Sequence, residues 1–153
     1  MIHSHSQQGA IAIRIASRFA VAVHILSLLG MNEQDENTSE WMAGSIGVNA
    51  VVVRNVTGQL RRAGLVRTQQ GVAGAHLDKA LGEITLLDVY RAVEESVDLF
   101  SIHPRPNPDC SVGANIQTSL EGVFGEAQQA MENRLSQTTM AQIVQDLRAS
   151  AQC

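Results

Sequence analysis

From Asn49 the chain is apolar at Val53, Val56 and Leu60, a rhythm of three and four that lays one stripe of a helix against a core. Asn49 stands where its side-chain oxygen can cap the first turn. The opposite face carries Ala50, Val51, Arg54, Asn55, Gly58 and Arg61. Gly64 then closes the helix, and Leu65, Val66 and Arg67 pair as a short strand with one ending at His76 and Leu77, joined by Gln69 to Ala75. Gly71 and Gly74 permit the positive φ of a tight tip, although an ordinary hairpin turn would explain them as well. Upstream, Thr38 or Ser39 caps a short helix through Glu40, Met42, Ala43 and Ile46, and Gly47 turns the chain into Asn49, the spacing of a helix-turn-helix. Phe19, Val23 and Leu26, with Ala20, Ala22 and Leu29, predict a supporting helix that ends near Gly30, followed by a polar, acidic loop over residues 32–37.

Beyond the hairpin, Thr85 and Asp88 suggest a capped helix bearing Leu86, Tyr90, Val93 and Val97, and HPRPNPDC, with three alternating prolines, a constrained loop. Ile116, Leu120, Val123, Ala127 and Ala130 then step by four and three along a seam close to 3.5 residues, with Phe124 and Met131 beside it. Such a helix wants a partner, either a second copy or an intramolecular core. A final short helix places Met140, Ile143, Val144 and Leu147 on one face, to pack on the DNA-binding domain of its own or another subunit. The expected fold is mainly α with a small β-hairpin wing. Residues 1–12 are a flexible tail, residues 13–82 a winged helix-turn-helix domain, and residues 83–153 a linker with a helical dimerisation and sensing region.

Composition narrows the class. The 153 residues are 44% hydrophobic, enough for one core with an extension, and no apolar run reaches the roughly 18 residues of a membrane span. Two cysteines make no disulfide framework and no secretory signal is evident, which points to a reducing cytoplasm. The net charge of −4 is unevenly spread: residues 1–79 hold seven basic and five acidic side chains, a net of +2, and residues 80–153 four basic and ten acidic, a net of −6. Between Asn49 and Leu77 stand Arg54, Arg61, Arg62 and Arg67 with no acid, so phosphate attraction is local to the helix and hairpin.

Short residues at a helix start allow close approach to base edges. An arginine one turn on reaches guanine O6 and N7, and Asn49 suits adenine or a phosphate. The base-edge candidates are therefore Asn49, Ala50, Val51, Arg54 and Asn55. Arg61, Arg62 and Arg67, with Arg18 on the first helix, are phosphate candidates, and Gln69, Gln70 and Gly71 form the part of the hairpin that meets the duplex. Trp41 is expected to pack in the helix-turn-helix, with contact to DNA as the alternative, His24 in a structural or DNA-proximal place, and His76 near solvent or phosphate. His3 and His5 are weak metal candidates in the tail. No Ser/His/Asp order, phosphate-binding glycine motif or metal-spaced His/Cys cluster supports an enzyme.

SRFAVAVHIL, LRRAGLV followed by a glycine-containing wing and HL, and GEITLLDVYRAVEES together resemble a bacterial winged-helix regulator family. That family includes the iron-sulfur regulator IscR, the nitric-oxide sensor NsrR and the cysteine-metabolism regulator CymR. VNAVVVRNVTGQLRRAGLV and HPRPNPDCSVGANI look most like its YwnA-like branch. The resemblance runs from about Ile15 to Leu147. It implies a dimeric transcription factor, usually a repressor, whose helix from Asn49 reads the major groove and whose wing touches the minor groove. It also favours the second copy as the partner of the Ile116, Leu120, Val123, Phe124, Ala127 and Met131 seam. Cluster-binding members carry three cysteines after the helix that matches residues 85–96, whereas this chain has only Cys110 there. His103 and Asp109 make no recognised site with it, so no cofactor is expected.

The resulting reading is a cytoplasmic homodimer that binds double-stranded DNA at a near-palindromic operator and answers an unidentified small molecule or oxidant. Cys110 is its candidate thiol sensor. Two alternatives stay open: a winged-helix module that binds proteins, and a regulator that senses a small ligand between the long helix and the DNA-binding domain.

Overall fold

The computed structural model describes residues 2–33, 37–94 and 107–150, with side chains from residue 17 onward. In chain order the elements are α1 (Ile2–Met31), α2 (Ser39–Ile46), α3 (Ala50–Arg62), β1 (Val66–Gln69), β2 (Val72–Leu77), a 3-10 turn (Leu81–Glu83), α4 (Leu86–Val93), α5 (Ser111–Leu135) and α6 (Met140–Ser150). The expected class holds: helices surround one two-stranded antiparallel wing.

Local capping sets these boundaries. The Thr38 hydroxyl accepts from the Trp41 amide at the start of α2, Asn49 Oδ1 accepts from the Val51 amide at the start of α3, and Thr85 and Asp88 form a reciprocal capping box on α4. Gly47, with φ +81°, ends α2 in the left-handed region and supplies the turn between the two helices.

Ile25, Leu26 and Leu29 of α1, Met42 of α2 and Val53, Val56 and Leu60 of α3 are buried together. Leu65, Val66 and Ala75 bring the base of the wing into the same core. Ile84, Val89, Val93 and Met140 join it too, so the core runs past residue 83 and takes in α4 and the start of α6. The Met140 amide donates to the Ile84 carbonyl and the Leu86 amide to the Thr138 carbonyl, fastening α6 to this chain's own helical domain.

Residues 2–12 are helical backbone continuous with α1: no proline intervenes, and once a helix is nucleated each added residue gains a hydrogen bond at little cost. Two expectations are corrected. Trp41 is 48% exposed rather than in the core, because Met42 and Ala43 occupy the inward side of α2. The hairpin tip is Gln70 and Gly71 alone, since β2 already begins at Val72. Val97, His103 and most of the proline segment lie outside the described residues, as do the side chains of His3 and His5.

Gly74 is not a tip residue. It lies within β2 at φ +91°, where a Cβ would stand 3.1 Å from the Asn37 nitrogen and 3.2 Å from its carbonyl oxygen. The neighbouring Ala75 amide donates to that carbonyl at 3.3 Å, so the wing is pinned to the segment before α2. Gly74→Ala should therefore cost about 1–3 kcal/mol, from the left-handed conformation and the displaced backbone together. Urea denaturation of the two proteins checks this, and an unchanged midpoint would refute the packing role.

Candidate nucleic-acid interface

The N-cap and core stripe of α3 fix which way its other side chains point. With Val53, Val56 and Leu60 fully turned inward, Val51, Arg54, Asn55, Arg61 and Arg62 are exposed, and Ala50 is half-buried. Gly58 was expected on the outer face but is buried. Without a side chain it lets Arg62 lie across it, a Cβ there falling 3.4 Å from Arg62 Nη1.

Two depressions flank this helix. Arg18, Arg54, Asn55, Arg61 and Arg62 line a concave surface of about 450 Å³, which gathers five of the predicted phosphate or base contacts in one place. Arg18 also donates to the Val93 carbonyl at 3.5 Å, so the first helix's contribution is braced against α4. On the other side of α3, residues from α2, Arg54, Arg61, Thr68 and the Val72–Ala75 strand surround a second hollow. Arg61 Nη1 donates to the Thr68 hydroxyl at 3.3 Å and ties the recognition helix to β1.

The wing offers Arg67, Gln69, Gln70 and Gly71, all exposed. Arg67 is opposite His76 across the ladder, and Gly71 takes φ +80° at the tip. Helix, first-helix arginine and wing thus bring cationic and amide groups together, with the exposed Glu40 carboxylate beside Arg54.

An arrangement invisible to local pattern appears at Arg54. Its Nη1 lies 3.0 Å from Glu40 Oε1 of α2, both side chains well exposed. The pair fixes the guanidinium beside the helix-turn-helix, yet an exposed pair of this kind is worth only about 0–1 kcal/mol, so a guanine edge or phosphate can displace the carboxylate. Asn49 Oδ1 is engaged with the Val51 amide, which leaves its amide nitrogen as the group that can turn to a partner.

Away from this face, Cys110 is an exposed free thiol at the N-cap of α5. The backbone N–H groups of Gly113 and Val112 at the start of α5 hold its pKa below the ordinary thiol value, against an opposing effect of desolvation. The thiolate is the nucleophile, so in a Cys153→Ser background the rate of Cys110 alkylation should rise through a midpoint below that of an ordinary cysteine. A midpoint at the ordinary value would remove the helix-start effect.

The predicted dimer stripe is placed but not covered. α5 has no buried residue along its length, and Val112, Ile116 and Val123 are 65%, 42% and 62% exposed. Leu120, Phe124 and Met131 are partly covered and Ala127 is exposed. Among the described residues no helix is long and apolar enough to cross a membrane.

Known proteins share this plan. The model of the family described as Rrf2, iron-dependent transcriptional regulator, matches residues 15–146. A Bacillus subtilis (strain 168) protein named as an HTH-type transcriptional regulator, YwnA, is 44% identical over 133 residues, covering 87% of this chain and 98% of its own. A crystal structure described as a DNA-binding protein superposes with a TM-score of 0.70 at 40% identity, over 82% of this chain and 97% of that one. The global cysteine regulator CymR of B. subtilis shares the fold, with a TM-score of 0.63 at 17% identity over 86% of this chain and 95% of its own.

Proposed function

The chain belongs to the Rrf2 family of DNA-binding transcriptional regulators, not enzymes, and from that premise we propose that it is a homodimeric repressor of a near-palindromic operator. The observation that carries the reading is the single face on which Arg18, Arg54, Asn55, Arg61 and Arg62 converge along an exposed, side-chain-capped helix. In the complex, Arg54 reads a base edge with Asn49, Ala50, Val51 and Asn55 close by, and Arg61, Arg62, Arg67 and Arg18 take phosphates. Gln69, Gln70 and Gly71 follow the adjacent minor groove. The uncovered apolar stripe of α5 supports the second copy, because one unit reads one half-site and a twofold pair sets two such helices about 34 Å apart.

The family description names iron, but the donor set here does not fit a cysteine-ligated cluster. The chain has two cysteines, Cys110 and Cys153. Among the described residues no group of three or more His, Cys, Asp or Glu side chains is placed to hold a metal ion. The exposed, acid-shifted thiol of Cys110 favours instead an oxidant or electrophile signal in the cytoplasm, acting at the start of the dimer helix.

Binding of the purified protein to genomic fragments, titrated with salt against an unrelated duplex under reducing and oxidising conditions, tests both parts. Specific, salt-sensitive binding that oxidation weakens in the wild type but not in Cys110→Ser is the expected result. Oxidation-dependent loss that persists in Cys110→Ser refutes the sensor. No specific binding under either condition refutes the operator reading and leaves the protein-binding module.

A further inference from the structure

One acid stands among the groups that should meet DNA. From Asn37 to Leu77, the stretch that builds α2, α3 and the wing, Glu40 is the single carboxylate, against Arg54, Arg61, Arg62 and Arg67. It lies in the first turn of α2, where a negative charge suits the helix start, yet that role needs no partner on another helix. Its Oε1 also accepts from Arg54 Nη1 at 3.0 Å, beside the hollow between α2, α3 and the wing that Arg61, Thr57 and Thr68 help to line. The Glu40 side chain is 71% exposed and that of Arg54 52%, so neither is committed to the core.

The arginines of α3 therefore differ in what they offer a duplex. Arg61 is held by the neutral Thr68 hydroxyl and presents its whole charge. Arg54 and Glu40 together present none. A phosphate meets a guanidinium whose charge its neighbour offsets, and the carboxylate itself repels the backbone. A guanine edge is different, because O6 and N7 take two N–H groups at once and carry no net charge for Glu40 to repel. Such a bidentate contact is worth roughly 5- to 150-fold, whereas an exposed ion pair is worth roughly fivefold or less, so guanine wins Arg54 from Glu40. A single phosphate has no such margin over the carboxylate.

We propose that Glu40 is a specificity-determining residue that acts through Arg54: it holds the guanidinium back from phosphates on any duplex and yields it to guanine on the operator. The inference rests on the reading of Arg54 as a base-edge contact. Glu40 itself touches no base in this account; it positions Arg54 and sets what can draw it away. Affinity for unrelated DNA is thereby lowered more than affinity for the operator.

The test is a cycle of Glu40→Gln, Arg54→Ala and the double variant, each full chain titrated with salt by fluorescence anisotropy on the best-bound genomic duplex and on an unrelated one. Glu40→Gln should bind the unrelated duplex about threefold to tenfold more tightly, with the slope of log affinity against log salt steeper by up to about 1, as one more phosphate is neutralised. Its affinity for the best-bound duplex should rise by less, so the preference between duplexes should fall by about threefold or more. In the Arg54→Ala background the same substitution should leave the preference unchanged, because the effect runs through the guanidinium. A carboxylate that only stabilised the start of α2 would move neither the slope nor the preference. Unchanged binding of the unrelated duplex, an equal rise on both duplexes, or an equal fall in preference with and without Arg54 overturns the proposal. A wild type with no preferred duplex overturns the base-edge reading and this inference together, whereas specific binding with an unmoved preference in Glu40→Gln overturns this inference alone.

Discussion

Replacing Ile116 and Val123 together by glutamate is expected to lower operator affinity by about two orders of magnitude or more while the fold survives. Neither side chain lies in the core: they are 42% and 62% exposed on a helix with no buried residue. An intramolecular role would have covered them, so two new carboxylates cost the folded chain little. In a dimer the same carboxylates face each other or an apolar stripe across a desolvated seam, where an unpaired charge is strongly destabilising. Each half-site is then bound alone, and the gain from a tethered second half-site, commonly a factor of 10² to 10⁴, disappears. Light scattering should report half the mass, and fluorescence anisotropy on a full operator should report the loss. An unchanged mass with unchanged affinity would place the dimer contact elsewhere.

The second large effect is expected at Arg54. A bidentate arginine–guanine contact discriminates against the wrong base by about 1–3 kcal/mol, so Arg54→Ala should lose roughly 5- to 150-fold of preference for the operator over a duplex changed at one base pair. Its pair with Glu40 is exposed on both sides, so the substitution should alter stability by no more than about 1 kcal/mol. Arg61→Ala should behave differently. It should weaken binding to all duplexes and lower the slope of log affinity against log salt by about 1. Arg61 also bonds Thr68, so part of its effect should be a looser wing. Indistinguishable behaviour of the two variants on matched and changed duplexes would remove the division into reader and phosphate contact.

Much of this architecture is readable from local pattern because its determinants are local. The Asn49 cap, the Thr85–Asp88 box and the Val53, Val56, Leu60 stripe each act within a turn or two of helix, where side chain and backbone decide the outcome together. What escaped depends on contacts between distant segments. Gly74 resembles a turn glycine until Asn37 is found against it, and Trp41 resembles a core residue until Met42 and Ala43 are found to fill the inward side of α2. The Arg54–Glu40 pair joins two helices across fourteen positions, and neither residue signals the other. An apolar groove lined by Phe19, Tyr90, Met131 and Ile143 draws its walls from α1, α4, α5 and α6, so no single helix's periodicity distinguishes it from ordinary core. Polar residues such as those at positions 3–8 suggest a tail, yet no proline in residues 2–12 stops a helix that continues into Phe19.

The most direct test of the central claim is a hydroxyl-radical footprint of the protein on its best-bound duplex. A twofold dimer with α3 of each copy in the major groove should protect two patches symmetric about the site centre, separated by one helical turn, about 10–10.5 base pairs, or a multiple of it. Arg54→Ala should weaken both patches equally. A single protected patch, or even protection without a centre, would contradict the paired-reader account.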